Sequence, residues 1–131
     1  MKMAEEAKVQ LKARRVLVVE DNAFIGALYI DLLEDMGHAV CAMVATEFEA
    51  VAAAAKYQPD LMIVDAVLGE GTGVSAVEEI LRSGFVPHIF VSGNIASVRP
   101  VRPGAIVMQK PFRGQDLARA VQSALNASVS L

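Results

Sequence analysis

The stretch Leu61–Asp65 reads LMIVD, with Pro59 just before it and the glycine-rich segment 69–73 just after it. Four consecutive apolar residues are too few for a helix and do not alternate with polar ones, which indicates a strand covered on both faces. Similar short runs occur four more times along the chain. The five predicted strands are Arg15–Val19, Ala39–Val44, Leu61–Val64, His88–Val91 and Ile106–Met108.

The intervals between these strands contain apolar residues at helical spacing. Thr46 and Glu49 form a capping box before the second predicted helix. Pro100 and Pro103 interrupt the segment between the last two strands, so the fourth helix is expected to be short or irregular. Strands that alternate with helices predict an α/β fold with a five-stranded, doubly wound parallel sheet. The residues expected on the inner faces of the helices are Ile25, Leu28, Leu32 and Met36; Phe48, Val51, Ala52 and Ala55; Val74, Val77, Ile80 and Leu81; Leu117, Val121 and Leu125.

The composition is that of one compact domain. The chain has 131 residues, of which 54% are hydrophobic and 21% charged, and its net charge is −3. These values argue against a disordered chain and against a nucleic-acid or membrane-surface binder. Cys41 is the only cysteine, the first residues lack the apolar run expected of a signal peptide, and no apolar run is long enough to span a membrane. We therefore expect a cytoplasmic domain over residues 14–127, with tails at 1–13 and 128–131.

Polar residues follow four of the predicted strands, at the edge where open α/β sheets bind ligands. They are Glu20, Asp21, Asp65, Ser92 and Lys110. Three carboxylates brought together repel, so either one carboxyl stays protonated or a cation lies among them. Ligands that are all oxygens suit Mg²⁺. Asp65 stands alone after the central strand and is the expected nucleophile of a phosphoryl-transfer site, with Lys110 and Ser92 facing the phosphoryl oxygens.

Each of these residues also has a simpler interpretation. Asp21 could cap the first helix, and Ser92 could bond to nearby backbone. The glycines at 69, 71 and 73 could suggest a nucleotide-binding loop, but they lack the Rossmann spacing and follow the wrong strand. His38 and His88 flank apolar strands at the opposite edge and are expected to be structural. Arg99, Arg102 and Arg113 form a basic group that is either solvated or a partner surface.

Several segments together resemble the receiver domain of two-component response regulators, which has a flavodoxin-like (βα)5 fold. They are residues 16–22, 59–65, 90–93 and 110–112, with Gly73. The resemblance implies that Asp65 accepts a phosphoryl group from a histidine kinase or a phosphotransfer protein. It also implies that Glu20, Asp21, Asp65 and the Val67 backbone carbonyl hold Mg²⁺, that Ser92 and Lys110 bind the phosphoryl group, and that the Lys110–Pro111 bond is cis. Such a domain is a signalling phosphoacceptor rather than an enzyme, and it binds neither nucleic acid nor membrane.

The sequence departs from the family pattern at two positions. Gly69 stands where a proline is usual, and Val107 stands where an aromatic switch residue is usual. The short region after the fourth strand resembles a subgroup of receivers associated in α-proteobacteria with general stress signalling. The resemblance implies a single-domain regulator that switches a downstream protein partner or acts as a phosphate sink. The alternative is an interaction module that works without phosphorylation.

Overall fold

The chain forms a single parallel sheet with helices on both faces. In the computed structural model, residues 13–94 and 105–129 are described, with side chains as far as Asn126. The strand order is β2-β1-β3-β4-β5, and every neighbouring pair is parallel, which confirms the predicted doubly wound fold. The elements in these ranges are β1 (Arg15–Val19), α1 (Ala23–Asp35), β2 (Ala39–Val44), α2 (Glu47–Tyr57), β3 (Leu61–Asp65), α3 (Gly73–Leu81), β4 (His88–Ser92), β5 (Val107–Gln109) and α4 (Gly114–Val129).

A hydrophobic core lies on each face of the sheet. Helices α1 and α4 cover one face with side chains such as Tyr29 and Leu117, and α2 and α3 cover the other with side chains such as Ala50 and Val77. Every residue of β3 and β4 is buried, as expected for strands that are apolar throughout. The carboxyl edge of the sheet therefore adjoins central strands that helices cover on both faces.

The inner faces of the first two helices differ from the predicted ones. In α1, Leu28 is half-exposed, whereas Tyr29 and Leu33 are fully buried. In α2, Phe48 is 82% exposed, and the small residues Ala50, Ala53 and Ala54 pack on the sheet instead. Apolar residues surround most of α2, so periodicity alone does not select a face, and alanines allow the helix to approach the sheet closely. The inner faces predicted for α3 and α4 are confirmed.

The helix ends follow local hydrogen bonding. Asn22 caps α1 through its Oδ1 atom, which accepts from the amides of Phe24 (3.0 Å) and Ile25 (3.2 Å), so Asp21 is not the cap. Thr46 caps α2 by accepting from the Glu49 amide at 3.1 Å, as the capping box predicts. Helix α4 runs through Val129, two residues past the expected boundary at 127.

The remaining polar predictions concern positions away from the carboxyl edge. His38 accepts a hydrogen bond from the Arg14 amide at 3.0 Å, and the His88 Nδ1 lies 2.8 Å from the Val86 carbonyl oxygen, so both are structural. Within the described part of the chain, no helix is long and apolar enough to cross a membrane. The expected fourth helix, and Arg99 and Arg102 of the basic group, fall in 95–104, outside the described residues.

Candidate functional site

The alternation of side chains along the strands directs three polar residues to one face of the sheet. Val18 and Ile63 point into the core beneath α1 and α4, and Glu20 and Asp65 follow each of them by two residues. Lys110 stands in the same relation to the buried Met108 of β5. All three side chains therefore leave the carboxyl edge on the α1 and α4 face.

The acidic side chains and the lysine are in direct contact. Glu20, Asp21 and Asp65 each offer a carboxylate oxygen, and these oxygens lie within 4.8 Å of one another. Glu20 and Asp65 are 2% and 5% exposed, whereas Asp21 is open to solvent. The Lys110 Nζ atom lies 3.1 Å from Asp65 Oδ2 and 3.4 Å from Glu20 Oε1. The Lys110 ammonium thus lies against two buried carboxylates.

The electrostatics of this group follow from burial and crowding. Burial raises the pKa of Glu20 to about 6, and the Asp65 charge adds to the rise, although the Asn22 amide and Lys110 oppose it. Burial lowers the pKa of Lys110, but its contacts with Asp65 and Glu20 outweigh that effect and raise the pKa above its ordinary value. Negative charge is therefore in excess at the site even with the lysine fully charged.

Ser92 and Val67 border the acidic group. The Ser92 hydroxyl donates to the Asn94 carbonyl at 2.9 Å and accepts from the Asn94 amide at 3.0 Å. Ser92 therefore makes the bonds to nearby backbone that its simpler interpretation predicts. Val67 lies two residues beyond Asp65, in the β3–α3 loop. It pairs with Thr72 in an antiparallel bridge, which joins the two sides of that loop. The Lys110 amide donates to the Ser92 carbonyl at 2.9 Å, and the Lys110–Pro111 bond is cis, as the resemblance implied.

The β3–α3 loop is held by a residue that the sequence analysis missed. Glu47, at the start of α2, accepts hydrogen bonds from the Thr72 amide (3.0 Å) and the Ser75 hydroxyl (2.6 Å). The two bonds span 25 and 28 residues, so no local pattern signals them. At the other end of the loop, a Cβ atom on Gly69 would lie 3.2 Å from Asp21 Oδ2. Glycine at this position therefore leaves room for the Asp21 carboxylate.

The donor set fits a magnesium ion. Its ligands would be carboxylate oxygens, which Mg²⁺ prefers. One oxygen of each of the three carboxylates lies within 4.8 Å of the others, so the three side chains converge on one position. The pKa of Glu20 is raised first by burial and then by the Asp65 charge, and a divalent cation would oppose both effects by favouring the ionised carboxylate. Glu20, Asp21 and Asp65 are thus the residues that could hold it.

Comparison with known proteins gives consistent matches. The sequence matches the family model described as the response regulator receiver domain over residues 16–122. It is 30% identical over 119 residues to the phyllosphere-induced regulator PhyR of Methylorubrum extorquens, covering 86% of this chain and 44% of PhyR. It is also 30% identical to the chemotaxis protein CheY of Thermotoga maritima over 113 residues, which cover 82% of this chain and 94% of CheY.

Solved structures give the same result. The PhyR receiver domain of Erythrobacter litoralis matches with a TM-score of 0.80 at 28% identity, covering 88% of this chain and 92% of that domain. A mutant of the anti-anti-sigma factor PhyR from Bartonella quintana matches with a TM-score of 0.83 at 25% identity and covers the whole of this chain. The present chain spans about half the length of the PhyR proteins, 44% of the Methylorubrum sequence and 56% of the Bartonella structure.

Proposed function

The chain belongs to the response regulator receiver domain family, and we propose that it accepts a phosphoryl group on Asp65 in a Mg²⁺-dependent reaction. One observation carries the proposal. The Lys110 ammonium contacts Asp65 and Glu20 inside a group of three carboxylates that fits a magnesium ion. Receiver domains are signalling domains, and the donor proposed here is a histidine kinase or a phosphotransfer protein.

The proposed chemistry is a displacement at phosphorus. A carboxylate oxygen of Asp65 forms the new P–O bond while the bond from phosphorus to the donor's histidine nitrogen breaks, and the nitrogen keeps the bonding electrons. When bound, Mg²⁺ supplies positive charge to the phosphoryl oxygens. Lys110 is close enough to Asp65 to pair with one of those oxygens as charge develops. The burial of Asp65 limits competing hydrolysis.

The proposed consequence is a change at the end of β4. A phosphoryl group on Asp65 adds negative charge beside Glu20 and competes for Lys110. Lys110 is joined through its amide to Ser92, whose hydroxyl bonds to Asn94. We propose that this chain of contacts carries the signal to a protein partner in the cytoplasm. Loss of the phosphoryl group without such an output would make the domain a phosphate sink.

The test is the intact mass of the protein after incubation with acetyl phosphate, with and without Mg²⁺. We expect a Mg²⁺-dependent gain of one phosphoryl group in the wild type and none in Asp65→Asn. Asp60→Asn is the matched control, because Asp60 lies just before the opposite end of β3, where it accepts from the Arg15 amide at 2.8 Å. This control should be phosphorylated like the wild type.

The opposite result would favour the interaction module. A folded wild type that gains no mass from acetyl phosphate or from a panel of histidine kinases would refute the phosphoacceptor. If phosphorylation occurs, backbone chemical shifts of residues 92–94 and 105–110 separate the two remaining roles. Shifts that move with a long-lived phosphoryl group support switching, whereas unchanged shifts and rapid dephosphorylation support the sink.

A further inference from the structure

Tyr29 carries a polar group for which the core provides no partner. Its side chain is fully buried, and its hydroxyl makes no hydrogen bond of good geometry with any group in the described part of the chain. Buried hydroxyl groups are nearly always hydrogen-bonded, because an unpaired donor loses its bonds to water without replacement. A phenylalanine would fill the same space without this cost. The hydroxyl therefore points to a partner that it meets in another state of the protein.

The position of Tyr29 identifies that partner. Tyr29 packs with Val16 and Val18 of β1, and the alternation of the strand brings Glu20 next on the same face. Burial raises the pKa of the phenol, and the charges of Glu20 and Asp65, with a weak contact between the hydroxyl and the Glu20 carboxylate, raise it further. The hydroxyl thus lies beneath the acidic group, with Glu20 the carboxylate that affects it most.

The ring of Tyr29 is held by its packing. It stacks on Phe112, with ring centroids 5.6 Å apart and an interplanar angle of 19°. Phe112 follows Lys110 by two residues, so the segment that carries the lysine also fixes the ring. A small shift of Glu20, rather than a swing of the tyrosine, would complete a hydrogen bond.

We propose that Tyr29 is a positioning residue for the cation site, whose hydroxyl donates to the Glu20 carboxylate when Mg²⁺ is bound. This inference rests on the proposed function. Glu20 already accepts from the Asn22 amide at 3.0 Å, while its contact with Lys110 is long, at 3.4 Å. A second short donor would orient the carboxylate toward the ion, as outer partners of metal ligands do.

The test compares Tyr29→Phe with Tyr57→Phe in titrations with Mg²⁺ alone. Tyr57 is the matched control, because it lies at the end of α2, at the opposite edge of the sheet. We expect Tyr29→Phe to weaken Mg²⁺ binding by about tenfold and to leave the melting temperature of the metal-free protein unchanged or higher. Tyr57→Phe should bind Mg²⁺ like the wild type. A lower metal-free melting temperature with unchanged Mg²⁺ affinity would show a merely structural tyrosine and overturn the inference.

Spectroscopy gives a direct readout, since the chain has two tyrosines and no tryptophan. In Tyr57→Phe, Tyr29 is the only tyrosine in the sequence, and Mg²⁺ should change its near-ultraviolet spectrum. An unchanged spectrum at saturating Mg²⁺ would refute the new hydrogen bond. A wild type that ignores Mg²⁺ would refute both this inference and the proposed site. Normal Mg²⁺ binding without phosphorylation would refute only the phosphoacceptor.

Discussion

Asp65 is an anionic side chain removed from water beside two other carboxylates. Like charges about 4 Å apart repel by roughly 1–4 kcal/mol near a protein surface. Lys110 offsets part of this repulsion, but it also pairs with Glu20. Its side chain is partly exposed, so water screens its charge. In the absence of a metal ion, the acidic group should therefore lower the stability of the fold.

Because of this repulsion, Asp65→Asn should stabilise the metal-free protein. The amide keeps an acceptor for Lys110 and removes one negative charge, so we expect a gain of about 1 kcal/mol, or roughly 4 °C in melting temperature. Thermal unfolding in a chelating buffer measures it. Mg²⁺ should raise the melting temperature of the wild type but much less that of the variant. A lower melting temperature for metal-free Asp65→Asn would contradict the electrostatic argument.

Glu20 predicts a pH dependence of stability. The unfolded chain ionises this group near 4.5, whereas the folded protein does so near 6. The folded state thus binds the proton more tightly, and this contribution is complete below pH 4.5 and is lost as the pH rises through 6. Relative to Glu20→Gln, the metal-free wild type should lose up to about 2 kcal/mol across that window. Urea unfolding of both proteins from pH 4 to 7 measures the difference, and a constant difference would contradict the shift.

At the scale of elements, the site depends on how closely α3 approaches β3. Gly73 is the first residue of α3, and a Cβ atom there would lie 2.0 Å from the carbonyl oxygen of Asp65. Backbone cannot give way as a flexible side chain can. Helix α3 and strand β3 are therefore fitted together at this glycine, against the backbone of Asp65.

Gly73→Ala should consequently destabilise the protein by about 1–3 kcal/mol and displace Asp65. We expect a lower midpoint of urea unfolding and a weaker response to Mg²⁺. Gly93→Ala is the control, because a Cβ atom at Gly93 would meet none of the described residues within 4 Å. It should unfold like the wild type. Equal stability of the two variants would contradict the close approach.

At the scale of the molecule, the sequence predicted best those elements that one local pattern determines. Apolar runs identified all five strands, and β1 and β2 have the predicted bounds. The strand ends were less certain, because β3 and β4 each take in one further polar residue and β5 lies one residue later, at Val107–Gln109. Hydrogen bonding to neighbouring strands decides those ends, and it depends on residues distant in sequence.

The features that could not be predicted are side-chain contacts between distant elements. Glu47 holds the β3–α3 loop across the surface, and Tyr29 lies under Glu20 although helical periodicity favoured Leu28 for the inner face. Tyr29 lies four residues from both Ile25 and Leu33, about one helical turn in each direction. This spacing was the sequence signal that its hydroxyl would be buried. The side chain that caps α1 was equally ambiguous, since Asp21 and Asn22 are adjacent and both can serve.

The extent of the two hydrophobic cores indicates how much of the chain the fold requires. Among the described residues, both cores lie between Val16 and Leu125, and the first contacts of the described chain are made by Arg14 and Arg15. A protein of residues 13–129 should match the full chain within about 0.5 kcal/mol and keep its Mg²⁺ response.

A shorter protein that starts at Val16 provides the contrast. It lacks the Arg14 amide bond to His38 and the Arg15 amide bond to Asp60, at 3.0 and 2.8 Å. It also lacks the bonds that the Arg14 and Arg15 carbonyls accept from the Ala39 and Asp60 amides, at 2.9 and 2.8 Å. The loss of these four backbone bonds should cost about 2–6 kcal/mol. Urea unfolding of the three proteins, each with and without Mg²⁺, measures these differences. If the 13–129 protein were as unstable as the shorter one, residues 1–12 would contribute to the fold, and the domain would have to be extended to include them.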